Sequence, residues 1–434
     1  MDIPELHPAF TAQEAVVEAN RCLFCFDAPC TTACPTHIDV PRFIKKIANA
    51  NLRGSANTIL DANALGLSCS RVCPVDVLCQ GACVMHRYNR QPIEIGRLQR
   101  HAMETWYDDM EDHDWAGLAT PVAHPQKIAC IGAGPASLAC AAELRKLGYA
   151  VTIFEARPRP GGLNTYGVAE YKLTPGDAIR ETEFIQALGV EIRTGIEVGK
   201  DVTFDQLEAE FDAIFIGVGL GPTQKIGIPG ENLPGVVDAV RFIAAYKTEA
   251  RYDVGARTVT IGGGNTAIDA AIAAKILGAD ESIMAYRRGE SEMPAFEFEY
   301  DHAKAFGVQF EWNIAPIRIL GEETVEGIEF ACTEPGTLKL IEDSVFTVPC
   351  DMVIVALGQS KLGAMLGDRV QISSGCIITA DPTTGATSNP KYFAAGDCTS
   401  GGREVVDAVA EGKRAAHGIL AHFAAVTTGV PSNG

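Results

Sequence analysis

At 434 residues the chain exceeds what one ordinary hydrophobic core sustains, so two or three domains are expected. A composition 47% hydrophobic and 21% charged is that of a folded globular protein, not a disordered one. With 55 acidic against 36 basic residues, a formal charge of −19, nucleic acid and anionic membranes are disfavoured as partners, since either needs a basic face.

The start, Met1-Asp2-Ile3-Pro4-Glu5, lacks the basic residues and apolar run of a secretory signal. No apolar stretch reaches membrane-spanning length, so a cytoplasmic location is expected. Eight of the fourteen cysteines fall between Cys22 and Cys83. Clustered thiols in a long chain of this kind point to metal rather than to a disulfide scaffold.

The first group reads Cys22-x2-Cys25-x4-Cys30-x3-Cys34-Pro35, the second Cys69-x3-Cys73-Pro74-x4-Cys79-x3-Cys83. Closely spaced thiolates let one loop wrap several irons. A later Cys-Pro commonly serves the other cluster of a two-cluster array. The rival is zinc, whose structural sites favour matched short pairs over four cysteines spread through thirteen residues. By count alone, eight thiols suit two 4Fe–4S clusters. Apolar residues recur at helical spacing around Phe43, Ile44 and Ile47, and again around Ile59, Leu60 and Leu65, which predicts a helical iron–sulfur domain over 1–123. An acidic stretch from Asp108 to Asp114, followed by Pro121 and Pro125, reads as a linker.

From Lys127 the pattern turns to α/β. A strand-like Ile128–Ile131 leads into Gly132-Ala133-Gly134-Pro135-Ala136-Ser137, a helix-like stretch and then Val151–Phe154. Such glycines permit a tight turn and let helix N-terminal amides approach a pyrophosphate. Glu155, twenty-three residues after Gly132, stands where a carboxylate accepts from a ribose hydroxyl. Ser137 replaces the usual third Gly or Ala with another small residue. Gly161-Gly162-Leu163 and Ala395-Gly396-Asp397 supply the distant contacts a long FAD needs. A bland alternative for each Gly pair is a simple turn.

The same sequence of events recurs. Thr258–Ile261 precedes Gly262-Gly263-Gly264-Asn265-Thr266-Ala267, a helix-like stretch to Leu277 and a strand-like Ser282–Tyr286. Asp212 and Gly219, and Asp351 and Gly358, bracket further apolar strands at matching separations. The expected architecture is α/β: an N-terminal α-helical iron–sulfur domain followed by two Rossmann-like dinucleotide-binding domains, the NAD(P)H domain inserted in the FAD domain. Expected boundaries are 124–250 and 361–434 for the two parts of the FAD domain and 251–360 for the NAD(P)H domain. The second module ends its strand in Tyr286-Arg287-Arg288 instead of an acid. Guanidinium groups suit the 2′-phosphate of NADPH, a carboxylate the 2′-hydroxyl of NADH. NADPH is favoured and NADH is the alternative; a solvated basic turn is the bland one.

With these residues placed, the chain resembles the flavin subunit of bacterial dihydropyrimidine dehydrogenase and the N-terminal half of the mammalian enzyme. More distantly it resembles the small subunit of glutamate synthase. The likeness covers nearly the whole chain and is strongest in "RCLFCFDAPCTTACPTHIDV", "CPVDVLCQGAC", "IEIGRLQ" and "GAGPAS"; "YRRGESEMP" from Tyr286 leans toward glutamate synthase. The resemblance implies that Cys22, Cys25, Cys30 and Cys83 hold one cluster. Cys34, Cys73, Cys79 and Gln99 would hold the other, with Cys69 a bystander. It implies FAD contacts at Glu155, Leu163, Lys172, Val198, Asp397 and Val405. For the nicotinamide cofactor it implies Gly263 to Thr266, Arg287, Arg288, Ala356, Leu357 and Gly358.

The expected chemistry is hydride transfer from NADPH to FAD, then single electrons through the clusters to a partner. Positioning governs such a transfer, so no residue is assigned proton-transfer catalysis. The partner implied by the resemblance is an FMN- and iron–sulfur-containing dihydropyrimidine dehydrogenase subunit, since nothing after Gly434 supplies a substrate-reducing barrel.

Overall fold

In a computed structural model, residues 5–111, 115–248 and 252–428 are described. Their contacts divide the chain into two compact units. One comprises 7–165, 176–220 and 361–434; the other comprises 1–6, 166–175 and 221–360.

The first unit opens with short helices whose starts are set by capping side chains. Thr11 and Glu14 form a capping box on Ala12–Ala19, and the Asp39 side chain accepts from the Arg42 N–H ahead of Val40–Ala48. Phe43, Ile44 and Ile47 bury one face of the latter helix, as their spacing predicts. The helix Ile95–Glu111 corrects the expected linker. The acidic run is helical through Glu111, and Asp108 there pairs with Arg180 at 2.6 Å. Asp112 to Asp114 lie outside the described residues.

A five-stranded parallel sheet follows, ordered Tyr392–Ala394, Ala213–Ile216, Lys127–Ile131, Ala150–Glu155, Glu191–Thr194. Its central apolar strands are buried on both faces, as parallel sheets require. The long helix Val405–Thr428 packs on Pro135–Lys146, and one apolar core runs from the cysteine-bearing helices into this layer. Lys146 and Lys413 tie the two parts together through the Leu60 and Ala62 carbonyls, at 2.9 and 2.7 Å.

The second unit repeats the plan. Its parallel sheet runs Val236–Asp238, Met352–Val355, Arg257–Ile261, Glu281–Tyr286, Gln309–Trp312. A three-stranded antiparallel sheet, Phe346–Pro349, Gly327–Cys332 and Ile314–Leu320, is added to it. The two parallel sheets share a strand order except at one edge. In the first, the edge strand Tyr392–Ala394 comes from beyond the other module in sequence, so one dinucleotide-binding domain is inserted in the other. Among the described residues, no helix is long and apolar enough to cross a membrane.

Candidate functional site: two thiol groups and two dinucleotide cradles

Cys22, Cys25, Cys30 and Cys83 line one cavity, walled otherwise by apolar groups that include Leu23, Val40, Ile44 and Ile93. Cys30 sits in the short helix Pro29–Ala33, and Cys83 precedes the 3-10 turn Val84–Tyr88. Burial pushes the Cys30 thiol up to about 12.

The second group gathers around the helix Gly66–Val72. Cys69 lies within it and Cys73 caps its C-terminal end, with the two thiols in contact. That contact, with burial, pushes the Cys73 thiol well up, and Cys79 and Cys34 stand close enough to add to it. Burial pushes Cys79 up to about 12, with Cys34 and Cys30 contributing. Asn63 Nδ2 donates to Cys69 Sγ at 3.2 Å. Gln99 is buried, and its Nε2 donates to the Gly66 carbonyl at 2.7 Å, at the start of the same helix.

Thiols desolvated among one another are costly to ionise unless something binds them as thiolates. Among the described residues, no group of three or more His, Cys, Asp or Glu is placed to hold a single metal ion. The Cys22 set instead surrounds a space, a donor arrangement that fits an iron–sulfur cluster.

The first dinucleotide cradle forms where three segments meet. Gly134 caps Pro135–Lys146, a helix that opens with the Pro135 favoured at its first turn. Gly162, at φ 57°, packs on it so closely that a Cβ would lie 2.7 Å from the Gly134 Cα. Any side chain at position 162 would drive these loops apart. Gly396 lies against Ala136, and its N–H donates to Glu411 at 2.8 Å. Glu155 braces the turn: its carboxylate accepts from the Ala133 N–H at 2.6 Å and the Arg157 N–H at 2.8 Å. Asp397 accepts from the Arg403 N–H at 3.0 Å, and burial raises its pKa. Leu163 begins a short helix after the Gly pair, Val198 is buried in the adjoining core, and Val405 starts the C-terminal helix.

Lys172 falls in the other unit. Its ammonium is fully enclosed, 2.6 Å from Asp269 and 2.8 Å from Glu299. Burial alone would lower its pKa, but the two carboxylates hold it above the ordinary value. Tyr171 donates to the same Asp269 at 2.7 Å.

The second cradle lies wholly in that unit. Gly264 caps the helix Asn265–Ile276, and Asn265 Oδ1 accepts from the Phe296 N–H at 3.1 Å. A Cβ on Gly263 would stand 2.4 Å from the Tyr286 ring, so the ring's position depends on the missing side chain. Thr266 is exposed on the first turn. Arg287 is exposed, and Arg288 stands 4.0 Å from Glu292. Ala356 and the half-exposed Leu357 follow the strand Met352–Val355, and the Gly358 carbonyl accepts from the Gln224 N–H at 2.9 Å. Both cradles place a glycine turn at a helix N-terminus, the arrangement a pyrophosphate needs. Sequence reasoning missed Glu411 and Asn63. Each is an ordinary polar residue whose partner is set by packing, and no motif marks either.

Residues 126–412 match the pyridine nucleotide-disulphide oxidoreductase family, and residues 1–111 match the 4Fe–4S cluster domain II of dihydropyrimidine dehydrogenase. A glutamate synthase [NADPH] small chain from Halomonas elongata is 34% identical over 96% of this chain and 92% of its own. The NAD-dependent dihydropyrimidine dehydrogenase subunit PreT of Escherichia coli O157:H7 is 36% identical over 96% of both. In fold, the chain is similar to the thioredoxin reductase of T. acidophilum, with a TM-score of 0.57 at 21% identity over 69% of this chain and 99% of that one. The chain belongs to the pyridine nucleotide-disulphide oxidoreductase family and is an NAD(P)H-dependent flavoprotein oxidoreductase with an iron–sulfur domain.

Proposed function

We propose that the chain is the NAD(P)H-oxidising subunit of a cytoplasmic dihydropyrimidine dehydrogenase. It would pass electrons from NADPH, through FAD and two 4Fe–4S clusters, to an FMN-containing subunit that interconverts uracil or thymine and the 5,6-dihydropyrimidines. The observation that carries this reading is the grouping of Cys22, Cys25 and Cys30 with the distant Cys83 around one cavity.

When bound, FAD turns a two-electron hydride donor into a source of single electrons that clusters can conduct. The chain's own residues act by position. The amides after Gly134 and Gly264 would hold the two pyrophosphates, and Glu155 keeps the first turn in shape. Arg287 and Arg288 would meet the 2′-phosphate of NADPH. Cys34, Cys73 and Cys79 would ligate the second cluster, with Gln99 beside the helix that leads into Cys73.

A second reading, a reductase subunit serving glutamate synthase, is favoured by the Tyr286–Pro294 segment and by the Halomonas relative. Identifying the subunit that co-purifies with the chain separates them: a small FMN protein supports the first, a large amidotransferase the second.

A further inference from the structure

Of the eight cysteines from Cys22 to Cys83, Cys69 is the one to which the resemblance gives no cluster, yet it is only 3% exposed. Its surroundings fix its hydrogen-bonding roles. Asn63, fully buried, ends the helix Leu52–Ala62. The Leu65 N–H donates to Asn63 Oδ1 at 2.8 Å, which settles which end of the amide is which. Nδ2 is thereby turned to Cys69 Sγ, 3.2 Å away. An amide nitrogen only donates, so the sulfur accepts and its own S–H is left to point elsewhere. Cys73 lies one turn on, its N–H donating to the Cys69 carbonyl at 3.1 Å, and the two thiols are in contact.

We propose that Cys69, oriented by Asn63, donates its S–H to the Cys73 sulfur and so raises the reduction potential of the cluster that this sulfur would ligate. Cys69 is then a positioning residue and not a ligand. The inference rests on the reading that Cys34, Cys73 and Cys79 hold the second cluster. A ligating thiolate carries negative charge, and one more electron on its cluster increases that charge. A hydrogen bond to the thiolate therefore favours the reduced state. Because the Cys69 sulfur already accepts from Asn63, its S–H is the better donor, as in any hydrogen-bonded chain. A higher potential lets that cluster accept an electron more readily.

The test is a redox titration of the purified holoprotein followed by electron paramagnetic resonance, with iron and flavin content measured alongside. Cys69→Ala should keep its FAD and iron for two clusters. One cluster's reduction equilibrium should fall about fivefold, roughly 40 mV for one electron, and the other cluster's midpoint should stay put. Cys69→Ser, which keeps a donor at the same position, should restore most of that shift. Unchanged midpoints in Cys69→Ala, or an equal fall in both variants, would overturn the proposal. Loss of one cluster's iron from Cys69→Ala would overturn it too, by making Cys69 a ligand. A wild-type chain that carries iron for a single cluster would remove the two-cluster reading itself and the proposal with it, a distinct outcome.

Discussion

Glu181 and Ser68 join the flavin-type layer to the helix that leads into Cys73. The Glu181 carboxylate accepts from the Leu67 N–H at 2.8 Å, the Ser68 N–H at 3.0 Å and the Ser68 hydroxyl. It thereby caps the start of Gly66–Val72 from a helix over a hundred residues away. Burial pushes its pKa up to about 8 despite those hydrogen bonds.

The pH dependence follows from that shift. Between the ordinary carboxylate range and about 8, the folded chain holds a proton that the unfolded chain has lost. Wild-type stability should therefore fall relative to Glu181→Gln by up to about 1.4 kcal/mol per pH unit as pH rises through this window. Urea unfolding of both proteins across the window checks it; parallel curves would refute it.

Lys172 is enclosed by Asp269 and Glu299, so removing its charge strands two buried carboxylates. Lys172→Met should cost about 3–5 kcal/mol in unfolding free energy, partly restored by adding Asp269→Asn. A loss below about 1 kcal/mol in the single variant would show the triad to be unimportant.

Gly263→Ala would place a methyl group against the Tyr286 ring. The KM for NAD(P)H should rise about tenfold, the equivalent of about 1.4 kcal/mol, while dithionite still reduces the flavin. An unchanged KM would place the nicotinamide cofactor elsewhere.

Replacing Arg287 and Arg288 together by Ala should lower kcat/KM for NADPH about tenfold or more and leave NADH within about twofold. Equal losses for both cofactors would contradict 2′-phosphate recognition.

Local pattern made much of this fold legible. The strands Lys127–Ile131 and Arg257–Ile261, their glycine turns and the repeat of one module follow from apolar runs and turn residues close in sequence. What escaped depends on distant packing. Ser137, a departure from the usual Gly or Ala, fits because Gly217 faces it: a Cβ there would be 2.2 Å from the Ser137 Oγ. The acidic stretch through Glu111 continues a helix, and Asp108 finds Arg180 across the fold. Lys172, matched to FAD by resemblance, has its partners on helices that begin at Asn265 and Glu297. No local pattern marks such pairs.

The most direct test of the central claim is uracil-dependent oxidation of NADPH by the purified chain, alone and with its FMN-containing partner subunit. The account predicts no uracil reduction by the chain alone and steady turnover once the partner is added. Uracil reduction by the chain alone, or none with the FMN subunit present, would contradict it.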